Sequence, residues 1–377
     1  MKAIKFILLG LCLSACGQTK AQGNLLSLIK KAKTKIDSMS VRGVDRRYID
    51  APEKPWRIIV RGNVNQSIVS MKTSGTMAGV DYSAKPHLKT EPSRYVGLWA
   101  GYRGCGLGYT VNVGGDKGHY FTLGVTGRSY SANLRIHSFE NSSPNFDLNS
   151  DLIPEGEKED WGKVNLIDPI KVRTVIANAF YLFNSKRFSY AAAYSQSKIQ
   201  KRSAGSLIAG AMYYHGSIDY ASNSNGDLIY AMQGLGKVKL WQGSVGVGYA
   251  YNWVPTHGLL VNVTAMPMLT LVNKIKAYGY ATNVEQLMED PTFWNSESSD
   301  EEWDDWFYGN VRIIPMGDQT FNSGMTINFD ARLSVTYNFD RYFIGAYGQF
   351  NNMRYHHNSS HGYLNDWFIN CSLGIRL

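Results

Sequence analysis

Between Glu285 and Phe307 the chain crowds acids and aromatic rings together. Glu285, Glu289, Asp290, Glu297, Asp300, Glu301, Glu302, Asp304 and Asp305 alternate with Phe293, Trp294, Trp303, Trp306 and Phe307. Carboxylates among tryptophans suit a divalent cation, or a sugar whose ring stacks on indole while its hydroxyls donate to the acids. Trp294, Trp303, Asp304, Asp305 and Trp306 are therefore the candidates for a small-molecule or glycan ligand. The plainer reading is a folded lid with solvated acids. A second cluster, His356, His357 and His361, sits among polar residues beside a glycine. Two histidines four apart hold a metal when a helix carries them, but this stretch reads as an exposed loop, so no metal site is assigned. Four further charges, Arg57, Arg61, Asp330 and Arg332, lie on the polar faces of alternating segments. There they pair to fill an interior or set its selectivity. No nucleophile elbow or His-Glu motif accompanies the histidines, so no catalytic residue is assigned. The glycines from Gly104 to Gly108 are followed by no helix and imply no cofactor.

The elements that must position these groups are strands. Trp367, Ile369, Cys371, Leu373, Ile375 and Leu377 alternate with Phe368, Asn370, Ser372, Gly374 and Arg376. Likewise Met325, Ile327, Phe329, Ala331, Leu333, Val335, Tyr337 and Phe339 form an apolar face opposite Thr326, Asn328, Asp330, Arg332, Ser334, Thr336 and Asn338. That alternation outlasts the roughly 9–11 residues a strand needs to cross a bilayer, and it exceeds a typical soluble strand of about five or six. Aromatics at 13% with a mean hydropathy of −0.26 fit walls that face lipid on one side and water on the other. The expectation is an all-β, transmembrane antiparallel β-barrel of about 12 strands, range 10–14, over residues 56–377.

The N-terminus points to export. Lys2 and Lys5 precede the apolar run Phe6–Leu13. Cleavage after Ala21 makes residues 1–21 a signal peptide. The alternative is a lipobox ending in a lipidated Cys16. The first is favoured because a barrel carries its own apolar belt. Losing Lys2, Lys5 and Lys20 lowers the formal net charge of +9 by three. The remaining basic residues are dispersed, which argues against a nucleic-acid partner. Cys105 and Cys371 are too few for a disulfide framework. Residues 22–55 read as a short amphipathic helix near 24–40 and a proline-bearing linker, both periplasmic.

Strand candidates are the segment from Trp56, then 94–113, 119–137, 170–183, 187–198, 204–218, 237–252, 258–272, 325–339, 342–352 and 365–377. Tight turns are expected at Asn184–Lys186, Val254–His257 and Asp340–Arg341. Long connections are expected at 71–93, 138–169, 219–236, 273–322 and 353–364. Counted inward from both ends, the two halves disagree by one strand. The fault is placed in 94–137, where the phase changes near Arg103–Gly104 and Thr126–Gly127, or in 187–218.

One set of residues carries a family resemblance. Phe183-Asn184, Phe188-Ser189-Tyr190-Ala191-Ala192 and Gln200-Lys201-Arg202-Ser203-Ala204-Gly205-Ser206 are the specific part. Asp45, Tyr48-Ile49, Lys54-Pro55-Trp56 and Tyr102–Tyr109 support it. Together they resemble an exported family of Bacteroidetes-type bacteria catalogued as domain of unknown function 4421. The resemblance covers nearly all of the mature chain and implies an outer-membrane barrel, with no catalytic residue to carry over.

The functional expectation is an outer-membrane barrel with both termini in the periplasm. It would act as a passive channel or carrier for a small solute, or as a structural surface protein. A lipid- or glycan-modifying enzyme is the alternative. Outer-membrane lipid, lipopolysaccharide and the barrel-assembly machinery are the expected partners.

Overall fold

In the computed structural model, the described residues are 43–377 apart from 78–79, 115–116, 151–159, 233, 295–298 and 358–359. The signal segment, Cys16 and the helix expected near 24–40 lie outside them. The strands in chain order begin with β1 Ile49–Asp50, β2 Trp56–Met77, β3 Val80–Lys89, β4 Ser93–Tyr102, β5 Cys105–Asn112 and β6 Gly118–Thr126. β7 Tyr130–Asn141, β8 Asn145–Ser150, β9 Asp160–Lys163, β10 Ile170–Leu182, β11 Ile199–Gln200 and β12 Ala204–Asp219 follow. The last are β13 Leu235–Thr256, β14 Leu259–Thr282, β15 Ile313–Asn322, β16 Thr326–Phe339, β17 Tyr342–His357 and β18 Ser360–Arg376. Short helices interrupt them: α1 Tyr190–Tyr194, α2 Gly226–Ala231, α3 Val284–Met288 and α4 Asp300–Asn310.

Twelve of the strands close a ring, running β2, β4, β5, β6, β7, β10, β12, β13, β14, β16, β17, β18 and back to β2. Closure pairs Arg57 with Arg376 and proceeds to Lys72 against His361, which leaves the barrel wall without a free edge. At the rim carrying Trp56 and Leu377, the backbones of these two residues bond reciprocally at 3.2 and 2.9 Å. This is called the proximal rim. At the distal rim β2 and β14 outgrow the wall: β3, β8 and β9 extend from β2, and β15 pairs with β14.

The alternation sorts as its physics requires. Ile327, Leu333, Val335, Ile369 and Leu373 are exposed on the outside, whereas Asn328, Asp330, Ser334, Asn370 and Arg376 are buried inside. Trp56, Tyr181, Phe183, Trp253, Tyr337 and Phe339 are exposed near the proximal ends of their strands, as in an interfacial aromatic belt.

Two strand expectations are corrected, and they compensate. The segment 94–137 holds parts of four strands, with hairpin turns at Arg103–Gly104 and Gly127–Ser129, at the expected phase changes. The segment 187–198 is no strand: its center is α1, capped by Ser189, whose Oγ accepts from the Ala192 amide at 3.2 Å. Two strands gained and one lost bring the candidates to 12. Most of the expected loop 353–364 is strand, since β17 and β18 pair from His357–Ser360 downward. Much of 71–93 is the β2–β3 hairpin. The Asn184–Lys186 turn opens a longer excursion.

Candidate functional site

The interior is the site the sequence points to, and three layers occupy it. The proximal layer is a plug. Residues 183–203 leave β10, fold inward as α1 and return through β11, which pairs with β1. Gln200 is its keystone and is buried: its Oε1 accepts from the Ser189 amide and Asn252 Nδ2, both at 3.0 Å. Its Nε2 donates to the carbonyls of Arg187 at 2.7 Å and Arg202 at 2.9 Å. Asn252 Oδ1 accepts from Asn262 Nδ2 at 2.7 Å, and Asn262 Oδ1 accepts from the Tyr194 hydroxyl at 2.7 Å. A continuous polar chain thus ties wall to plug. Ser203 Oγ accepts from the Val254 amide at 2.9 Å, and Ser206 Oγ from the Asn184 amide at 3.0 Å. The segment before β2 seals the plug from below through the Asp45 amide on the Lys186 carbonyl and the Lys201 amide on the Tyr48 carbonyl. The Arg47 guanidinium holds the Asp45 carboxyl down to about 2, and burial pushes the Lys198 ammonium down to about 8.

The middle layer is ionic. Arg332 grips Asp330 through both nitrogens of its fork, at 2.7 and 2.9 Å, and donates to the Tyr190 hydroxyl of the plug at 2.8 Å. Gln349 donates to Asp330 at 2.8 Å and accepts from Arg135 at 3.3 Å. Such a bidentate pair tolerates burial because the charges face each other directly and further hydrogen bonds support both partners. Arg57 and Arg61 lie elsewhere, each over the Trp99 ring, at 5.1 and 4.9 Å from its centroid. That ring lies flat on the wall because Gly101 and Gly106 are bare beneath it: a Cβ at either would come within 2.2 or 1.9 Å of the indole. The same pairing of cation and ring recurs in Arg135 over Phe368, Arg332 over Phe180 and Arg376 over Phe343. A ring is worth about 2 kcal/mol to a desolvated cation, less than the several kcal/mol that burying one costs. The rings therefore offset only part of the penalty.

The distal layer is a lid. Leu228 and Ile229 of α2 are buried with Phe139, Ile170 and Val172 of the wall, Leu88 of β3 and Tyr220 just past β12. Asp168 anchors the lid's edge by accepting from the Ser222 and Ser224 hydroxyls, which hold its carboxyl below the usual range. Above it, α4 begins with a capping box between Ser299 and Glu302. Val284, Phe307 and Val311 form a small core there, with Trp303 and Trp306 against it.

All four interior candidates, Arg57, Arg61, Asp330 and Arg332, are buried and inward, but they form two separate pairs. Of the distal candidates, Asp304 and Asp305 are exposed. Trp303 stacks on Phe307 at 5.0 Å and donates to the Phe293 carbonyl at 3.1 Å, so its ring already has partners. The Trp294 side chain lies outside the described residues. His356 and His361 face each other across the β17–β18 hairpin, and no group of three metal-ligating side chains occurs among the described residues. Sequence reading missed Arg135, although Leu134 and Ile136 flank it in strand alternation. It also missed Gln200 and Tyr190 as interior groups.

The model for the family described as Domain of unknown function (DUF4421) matches residues 43–376. The chain belongs to that family. The match begins at the segment that seals the plug and ends one residue before the C-terminus. A comparison with curated proteins gives no match. Among solved structures, the chain is similar to the outer membrane protease OmpT of Escherichia coli at 8% identity and a TM-score of 0.36. That match covers 86% of this chain and 97% of that one. It is similar to an outer membrane channel from Pseudomonas putida F1 at 11% identity and a TM-score of 0.30, over 86% and 97%. The translocator domain of the autotransporter NalP from Neisseria meningitidis matches at 9% and 0.29, over 95% and 100%. The fold is a closed antiparallel β-barrel of 12 strands.

Proposed function

We propose that this barrel is closed to diffusion and acts as a structural surface protein, through its distal lid and loops rather than through its lumen. The observation that carries the reading is the filled interior. The plug, the Asp330–Arg332–Tyr190 bond chain and the lid occupy successive layers. The space between the wall and the plug opens only about 60 Å³ to the centers of water-sized molecules. A passive pore for even a small sugar needs a continuous aqueous path. The orientation that fits puts the proximal rim in the periplasm, because its turns at Arg103–Gly104, His257–Gly258 and Asp340–Arg341 are tight and the distal connections are long. In this reading lipopolysaccharide meets the outward apolar face, and the barrel-assembly machinery closes β18 on β2.

Two experiments test it. Proteoliposomes carrying the purified barrel should swell in a sugar gradient no faster than empty ones, whereas uptake at porin-like rates would defeat the proposal. Protease added to intact cells should cut the 283–312 connection and spare the plug until the outer membrane is permeabilized. Cleavage of 183–203 in intact cells would reverse the orientation.

A further inference from the structure

The buried charges of the interior do not balance. Among the described residues, Arg57, Arg61, Arg135, Arg332, Arg376 and Lys198 are buried against only two carboxylates, Asp330 and Asp366. Asp330 is committed to Arg332 and Gln349, and Asp366 accepts from the Ser67 hydroxyl at 3.2 Å. Arg61 Nε and Arg135 Nη2 have no hydrogen-bond partner among the described residues, though Arg61 is only 9% exposed and Arg135 only 6%. Both side chains line the same space, the 60 Å³ cavity between the β4–β7 wall and the plug. Arg332, Tyr190, Tyr347 and Gln349 are among its other polar lining, and Trp99 and Phe180 among its apolar lining. A water needs about 10–15 Å³ of such space, so the cavity suits roughly four or five heavy atoms. That is the size of a small oxyanion, and guanidinium forks match oxyanion geometry.

We propose that this cavity binds one small free oxyanion, of the phosphate or carboxylate class, held by Arg61 and Arg135 and closed by the plug at Tyr190–Ser195. The ion supplies the negative charge the wall lacks. It also joins β2 and β7 to the plug.

The test titrates the intact barrel in detergent micelles with inorganic phosphate at constant ionic strength. Calorimetry should give one saturable site per barrel, and the Tm should climb with phosphate, more weakly with acetate and not with chloride. Arg61→Met and Arg135→Met should lose the phosphate-dependent rise. In phosphate-free buffer Arg61→Met should be at least as stable as wild type, because it removes a buried cation with no carboxylate partner, whereas Arg135→Met also gives up the bond to Gln349 and should not gain. If either fails to fold, broadening of the phosphate ³¹P resonance by the wild-type barrel, reversed by sulfate, still reads the site. A Tm unmoved by phosphate, or moved equally by chloride, overturns the proposal and leaves a water-filled cavity. Retention of the rise in both variants also overturns it. A conducting barrel would instead defeat the closed-barrel reading and leave this titration unaffected.

Discussion

The two ends of the lumen are stopped by opposite chemistry. The proximal plug is polar: Gln200, Asn252, Asn262 and Tyr194 hold it by point contacts, each donor matched to an acceptor. The distal lid is apolar: Leu228 and Ile229 settle among Phe139, Ile170 and Val172 without needing a particular geometry. Hydrogen-bonded closure is all-or-none, because losing one partner strands others in a buried site. Apolar closure is graded, because its strength follows area and volume. The plug should therefore fail abruptly and the lid gradually.

The largest expected effect comes from Gln200→Ala. It leaves the Ser189 amide, the Asn252 side chain and two carbonyls short of a partner, at a cost on the order of 4 kcal/mol. Hydrogen exchange across 183–203 should rise to unprotected rates while the strands stay slow. Next is Ile229→Ala, which should cost about 3 kcal/mol through the cavity it leaves. Denaturant unfolding reads that loss, and plug exchange should not change. If both variants loosen both ends equally, the comparison fails and the interior is one cooperative unit.

Lys198 sharpens the contrast through pH. Burial within the plug lowers its folded pKa to about 8 from the ordinary lysine value of 10.5, so folding disfavors the charged form. Its penalty is complete below pH 8 and fades as pH rises toward 10.5. Lys198→Met should therefore raise the Tm by a few degrees at neutral pH, with the two curves converging in base. A constant difference across that range would mean that charge is not the cause. The smallest effect is expected at the lid's outer core. Trp303→Phe removes one hydrogen bond and part of a stack, about 1 kcal/mol, and should leave lumen closure intact.

How legible the parts were depends on contrast between the faces. In β16 every inward residue is polar or small, in β18 all but Leu364 and Phe368 are, and nearly every outward one is apolar, so the fold is readable there. In 94–137 the wall turns Tyr95, Trp99 and Tyr120 inward, and apolar residues on both faces blur the period and hide two hairpins. In 187–198 the order Phe188-Ser189-Tyr190-Ala191 imitates a strand, while the actual period is a single capped helical turn. The inward direction of Arg57, Arg61, Asp330 and Arg332 follows from alternation alone. Their partners do not, because Trp99, Tyr190 and Gln349 arrive through closure of the ring. The Gln200–Ser206 block was visible as a family feature before its work was: Gln200, Ser203 and Ser206 are the plug's attachments.

Single-channel recording in planar bilayers tests the closed lumen most directly. Wild-type barrel at high occupancy should be silent across the voltage range, whereas Gln200→Ala combined with Ile229→Ala, which loosens both stoppers, should show transient openings. Stable, salt-dependent conductance steps from the wild type would contradict the account.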